Sequence, residues 1–196
     1  MNLPNKLTVL RICMTPFFLL ALLIDFPHHY LVALILFATA SITDAIDGHL
    51  ARSRNLITDF GKFLDPLADK MLTTAAFLGF IKLGLGVGIE WITFIVLIRE
   101  FLITSLRLIS AGKGTVIAAN IWGKAKTVSQ MLAIILTIFG QYLLSLFVPM
   151  NLPNIGLLLS VVNAVTNLTL WISAILTVVS GVVYVIQNKG FIDPEK

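Results

Sequence analysis

Long apolar runs recur from one end of the chain to the other, each closed by a short cluster of helix breakers or polar groups. Runs of this kind cross a bilayer as helices, because about 20 residues rising 1.5 Å each match a hydrocarbon layer ~30 Å thick. The pattern predicts six helices, at about 8–24, 30–50, 57–81, 88–110, 125–147 and 165–187. Breaks fall at Asp25-Phe26-Pro27-His28-His29, Arg52-Ser53-Arg54-Asn55, Gly84-Leu85-Gly86, Ala111-Gly112-Lys113-Gly114 and Pro149-Met150-Asn151-Leu152-Pro153-Asn154. Residues 154–164 are apolar and uncharged, and read either as a re-entrant piece or as an early start to a long last helix. The opening MNLPNKLTVLR is short and basic enough for a signal, but no small-x-small site follows the first run, which is therefore expected to stay as a span. With no internal repeat, residues 1–196 read as a single domain. The expected fold class is an all-α integral membrane protein, a bundle of six transmembrane helices.

Composition supports this. Of 196 residues, 58% are hydrophobic and 12% charged, against about 25% charged in soluble domains, and the mean hydropathy is +0.96. A water-soluble globule, a disordered chain and a nucleic-acid-binding tail are all excluded. Cys13, the single cysteine, excludes an intrachain disulfide framework and any four-Cys metal site. The pI near 9.4 is explained by cytoplasmic Lys and Arg facing anionic lipid, so membrane lipids and not nucleic acid are the expected partners. With the N-terminus in the cytoplasm, six spans place Lys6, Arg11, Arg52, Arg54, Lys62, Lys70, Arg99, Arg107, Lys113, Lys124, Lys126, Lys189 and Lys196 on that side. Only Lys82 falls on the other. This bias predicts that both termini are cytoplasmic.

The acids between Asp44 and Asp69 are not explained by scaffold alone. Asp44 and Asp47 are three residues apart near the end of the second run, and Asp65 and Asp69 four apart near the start of the third. Each spacing puts its pair on one helix face. A hairpin through residues 52–55 would lay the two helices side by side and let four carboxylates converge. A buried Asp costs on the order of 2.5–3.5 kcal/mol near a span centre and less toward the interface, and like charges repel. A hard divalent cation with oxygen ligands offsets both effects. Interfacial caps or salt bridges to Arg52, Arg54, Lys62 and Lys70 are the structural alternative, and Asp59 reads as a cap or a surface charge. Gly48, Ala51 and Gly61 allow close approach of a backbone or a flat ligand, and Arg52, one turn beyond Asp47, can reach a phosphate. The residues describe a wet, cytoplasm-facing pocket for a metal-bridged phosphorylated ligand.

The string Asp44-x2-Asp47-Gly48-x2-Ala51-Arg52-x8-Gly61-x3-Asp65-x3-Asp69 resembles, at every specified position from 44 to 69, the signature of the CDP-alcohol phosphatidyltransferases. That resemblance implies six helices around a cytoplasm-facing active site and a homodimer in the cell membrane of a bacterium. It also implies an enzyme that uses Mg2+ or Mn2+, as two ions, to move the phosphatidyl group of CDP-diacylglycerol to an alcohol with release of CMP. By position it makes Asp44, Asp47, Asp65 and Asp69 the metal ligands, with Asp69 also the general base. Gly48, Ala51, Arg52 and Gly61 would shape the nucleotide pocket. The opening Pro4-Asn5-Lys6-Leu7-Thr8-Val9-Leu10-Arg11 is similar to the family's interfacial start and marks Asn5, Thr8 and Arg11 as edges of a polar entrance.

The signature does not choose the alcohol. The opening segment, Leu64-Asp65-Pro66-Leu67-Ala68-Asp69-Lys70, Arg99-Glu100, Arg107 and Gly123-Lys124-Ala125-Lys126-Thr127 with Gln130 resemble the bacterial phosphatidylglycerophosphate synthase branch. Its acceptor is sn-glycerol 3-phosphate. An anionic acceptor needs cations beyond those holding the CDP phosphates, and Arg107, Arg99, Lys124 and Lys126 are the candidates. Arg99 and Arg107, eight apart, share a helix face. Sibling enzymes making cardiolipin, phosphatidylserine or a phosphatidylinositol phosphate remain alternatives, and a divalent-cation transporter a remote one. Against transport, the acids gather toward one membrane face. Trp91, Trp122 and Trp171 read as interfacial or packing residues, His28 and His29 as an external loop, and Gly84, Gly86 and Gly88 as too loosely spaced for a phosphate loop.

Overall fold

The computed structural model describes residues 3–53, 59–112, 121–150 and 153–188, with side chains described throughout except at 3–4, 45–53, 59–63, 65–66, 69 and 111–112. Among the described residues there are six α-helices and no strand: α1 (Leu3–Leu23), α2 (His29–Ser53), α3 (Asp59–Leu83), α4 (Ile89–Gly112), α5 (Ile121–Phe147) and α6 (Ile155–Gln187). One 3-10 turn, Val148–Met150, follows α5. Every expected helix is present, and the first begins at Leu3, five residues earlier than the apolar run suggests. Pro4 stands in its opening turn, where no intrahelical N–H is required. Pro16 lies inside α1; beside it the Thr15 hydroxyl donates to the Arg11 carbonyl at 3.0 Å, one of the local contacts that make proline tolerable in such helices. Residues 155–164 resolve the open point about the last run: they form the start of a single 33-residue α6.

Short turns join α1 to α2, α3 to α4 and α5 to α6, making each pair antiparallel. Near the ends of α1 and α3, a Cβ on Gly79 would stand 2.5 Å from Leu22, so these two helices run parallel and in close contact. Among the described residues α2 and α3 pack chiefly on α1, not on each other. The expected hairpin of α2 and α3 turns through residues 52–55, of which 54 and 55 lie outside the described residues; along the described lengths α1 packs on both helices. On the other flank α6 packs on α5 and α4, and α2, α3 and α5 close the bundle. A Cβ on Gly140 would lie 2.7 Å from Val162, the approach that holds α5 against α6.

One apolar core runs through the bundle, with Phe18, Phe37, Phe77, Phe80, Ile92, Ile134, Ile138 and Leu170 fully buried. Phe17, Ile35, Phe94, Phe101, Leu168, Ile175 and Ile186 face outward, while Thr137, Thr177, Ser173 and Ser180 are inside. That inversion fits a bundle surrounded by lipid, where small polar side chains serve helix contacts. α1, α5 and α6 are each long and apolar enough to cross a membrane. The charges of α2, α3 and α4 are concentrated at the end of the bundle where the site is assembled.

Candidate functional site

α1 brings Asn5, Thr8 and Arg11 onto one face by their spacing of three, and all three are buried. Arg11, only 2% exposed, forms an ion pair through Nη1 with Oδ1 of Asp44 on α2, whose side chain is 37% exposed. Burying a guanidinium costs several kcal/mol unless a carboxylate and further hydrogen bonds satisfy it. Arg11, expected at an entrance edge, is instead a buried anchor that fixes the first acid of the signature. Its partner's carboxylate stays partly open.

A second constellation stands at the same end. Glu100 on α4 receives Lys126 Nζ from α5 on Oε1, Arg99 Nη1 on Oε1 at 3.1 Å, and Lys70 Nζ from α3 on Oε2 at 3.5 Å. Lys126 and Glu100 side chains are 5% and 15% exposed. Arg99 also donates through Nη2 to Ser180 Oγ on α6 at 2.6 Å. Its stem passes the helix backbone where a Cβ on Gly181 would lie 3.3 Å from Cγ. One carboxylate thus ties cations from three helices, and one of those cations reaches a fourth.

Arg107, two turns after Arg99, faces the same helix, as the spacing predicts: Nε donates to Tyr184 Oη at 3.2 Å, with the guanidinium 5.8 Å from the ring centroid. Arg107 is exposed and has no carboxylate partner among the described residues. Lys124 is likewise exposed, near the start of α5. Of the four acceptor candidates, Arg99 and Lys126 are therefore gathered on Glu100, while Arg107 and Lys124 stand apart from that carboxylate.

The remaining signature residues fall where their backbone, but not their side chains, is described. Asp47, Gly48, Ala51 and Arg52 occupy the last turns of α2, and Gly61, Asp65 and Asp69 the first turns of α3. The expectations for these seven side chains lie outside the described residues. Among the described residues no three His, Cys, Asp or Glu side chains converge, and Asp44 is the only one of the four aspartates whose side chain is included. As a donor set, four aspartates suit a hard, oxygen-seeking divalent cation. Asp44, rigidly held yet part-exposed, fits that use.

Sequence reasoning treated Glu100 only as a neighbour of Arg99, and it did not find Ser180 or Tyr184. A signal for Glu100 existed: a lone acid deep in an apolar helix requires a cationic partner. The family model for CDP-alcohol phosphatidyltransferase matches residues 1–179. The chain is 40% identical over 199 residues to the CDP-diacylglycerol–glycerol-3-phosphate 3-phosphatidyltransferase of Bacillus subtilis (strain 168), covering 95% of each chain. It is 34% identical to the Rickettsia bellii (strain RML369-C) protein of the same name, covering 93% of both chains. With the Haemophilus influenzae protein of that name it shares 32% identity, over 96% of this chain and 94% of the relative. Matches of this extent take in both ion-pair constellations and the whole 44–69 signature, and the chain belongs to the CDP-alcohol phosphatidyltransferase family.

Proposed function

We propose that the chain transfers the phosphatidyl group of CDP-diacylglycerol to sn-glycerol 3-phosphate, giving phosphatidylglycerophosphate and CMP. The observation that carries this reading is the assembly, at one end of the bundle, of the anchored Asp44 and a cluster of cations drawn from three helices. The shared name of the relatives in three bacteria supports the same acceptor. The family is generally divalent-metal dependent, and Asp44, Asp47, Asp65 and Asp69 would hold two Mg2+ or Mn2+ ions. Bound there, the ions would neutralise the diphosphate and stabilise the leaving CMP.

The chain's own residues then divide the work. Arg11 holds Asp44 in register. Gly48, Ala51, Arg52 and Gly61 receive the nucleotide, and Asn5 and Thr8 line its approach. Asp69 takes the proton of the acceptor hydroxyl as that oxygen attacks the phosphorus bearing diacylglycerol. The bond from that phosphorus to the CMP oxygen breaks, and CMP leaves with the electron pair. Glycerol 3-phosphate brings nearly two negative charges of its own, for which Arg107, Arg99, Lys124 and Lys126 are the binding groups. A guanidinium fork such as that of Arg107 suits a phosphate better than a lone ammonium.

The wider reading is of a single domain over residues 1–196 that crosses a bacterial cell membrane six times. Both termini and the site face the cytoplasm, and the chain pairs as a homodimer. The basic residues at the site end and the lone Lys82 toward the other support that orientation.

One assay tests the activity: purified protein in detergent with CDP-diacylglycerol and, in turn, glycerol 3-phosphate, phosphatidylglycerol, serine and inositol phosphate. CMP and a phosphatidylglycerophosphate product are expected with glycerol 3-phosphate alone, abolished by EDTA and restored by Mg2+ or Mn2+. Turnover of phosphatidylglycerol in its place would make the enzyme a cardiolipin-type sibling, and full activity in EDTA would end the metal assignment.

A further inference from the structure

Glu100 stands outside the signature, yet its carboxylate meets three cations. Oε1 is shared by Lys126 and Arg99, and Oε2 faces Lys70. The three cations come from α5, α4 and α3, elements with no local reason to bring their charges together. Without an anion at their centre they would repel, and long cationic side chains relieve such repulsion by snorkelling toward the head groups. The surroundings are rich in donors and short of acceptors. Arg99 Nε and the Nε2 of Gln130, one turn beyond Lys126 on α5, are both buried without a hydrogen-bond partner.

We infer that Glu100 is a positioning residue for the acceptor. Its carboxylate holds Lys126, Arg99 and Lys70 in one place before substrate arrives, so that the acceptor's phosphate meets a preformed cationic wall. This rests on the proposed reading that the acceptor carries a phosphate. Glu100 touches neither substrate nor reacting atoms; it acts through the cations it gathers. The arrangement shifts selectivity toward an anionic alcohol, because ordering of the cations is completed in the free enzyme and is not charged against acceptor binding. It also gives the two constellations different tasks: Arg11 and Asp44 serve the lipid nucleotide, whereas Glu100 and its three cations serve the acceptor.

The test is a substrate-resolved kinetic comparison. Glu100→Gln keeps the shape of the side chain and removes its charge. It is expected to raise the KM for glycerol 3-phosphate by about tenfold or more, with the KM for CDP-diacylglycerol within about twofold and kcat within about threefold of the parent. Glu100→Asp, which retains the charge on a shorter stem, should fall between the two. In a Lys126→Met background, adding Glu100→Gln should change the acceptor KM by a smaller factor than it does in the parent, because one of the three cations it positions is gone. An unchanged acceptor KM in Glu100→Gln, or equal weakening of both substrates, overturns the inference while leaving the activity intact. If Glu100→Gln does not fold, Glu100→Asp decides by the same criterion: a rise confined to the acceptor KM supports the role, and any other pattern overturns it. A parent enzyme that ignores glycerol 3-phosphate fails at an earlier step, and takes the proposed function and this inference down together.

Discussion

The two ends of the bundle join their helices by different means. At the site end the ties are ionic: Arg11 to Asp44 between α1 and α2, and Glu100 to Lys70, Arg99 and Lys126 across α3, α4 and α5. At the far end the main ties are neutral and use the backbone. Asn167 Oδ1 on α6 accepts from Val87 N at 2.6 Å, and Trp171 Nε1 donates to Val87 O at 3.1 Å. Gly84, Gly86 and Gly88 there adopt φ of 67°, 100° and 70°, a left-handed region that glycine enters without strain. A neutral turn satisfies its polar groups at little desolvation cost. Buried ion pairs are a poor way to gain stability, since each charge must be stripped of water. Their concentration at one end of this bundle fits the chemistry proposed there, and the far end is held mainly by neutral contacts.

Substitutions can break this contrast, and the largest effect on turnover is expected at Arg11. Arg11→Met leaves Asp44 without its buried guanidinium; turnover should fall by about a hundredfold or more, and unfolding should be easier by about 3 kcal/mol. Denaturant melts and single-turnover CMP release on the same preparation measure both. A variant with parental activity would show that the pair is scaffold. Next is Arg107→Ala, which removes an exposed guanidinium held by Tyr184. The KM for glycerol 3-phosphate should rise by about tenfold, or roughly 1.4 kcal/mol, with CDP-diacylglycerol unaffected; equal weakening of both substrates would move Arg107 out of the acceptor pocket. The smallest effect on activity is expected at the far end. Gly86→Ala forces a side chain into a left-handed turn and to 2.7 Å from Leu170, so it should destabilise by about 1–3 kcal/mol. Its kinetic constants, measured well below the melting temperature, should stay at parental values. A Gly86→Ala enzyme that melts normally but turns over slowly would erase the distinction between the ends.

Much of the fold was legible because membrane helices are written in long, unbroken periods. Five of the six begin within about five residues of the expected positions, α6 begins ten residues early, and the turn at Gly84–Gly88 was visible as breakers. Residues 154–164 were ambiguous for a physical reason: an uncharged apolar stretch is compatible with any orientation against lipid, and only packing such as Val162 against Gly140 decides it. The 44–69 spacing announced the acids. It did not announce that α1 would pack on both α2 and α3, nor that Arg11 would reach Asp44 or Lys126 would reach Glu100. Those pairs depend on how each helix is rotated about its axis, which no short-range spacing encodes. The resemblance to a family supplied roles for Asp69 and Arg52, whereas Glu100, an acid deep in an apolar run, signalled that it needs a cation without saying which ones.

The level of the charges along the helices has a consequence for how a lipid reaches them. Counted at 1.5 Å per residue, Arg11, Asp44, Lys70, Glu100 and Lys126 lie between about 8 and 18 Å inside the site-side ends of their helices. They stand below the helix ends and not level with them. Under the proposed orientation, with that end at the cytoplasmic face, a diphosphate resting among the head groups of its leaflet is above the plane in which it would react. The lipid has to descend along the protein while its acyl tails stay in the bilayer. Local thinning of the membrane around the bundle shortens that descent, and such deformation is inexpensive per ångström. Bilayer thickness thereby becomes a kinetic variable for an enzyme whose product helps to build the bilayer itself.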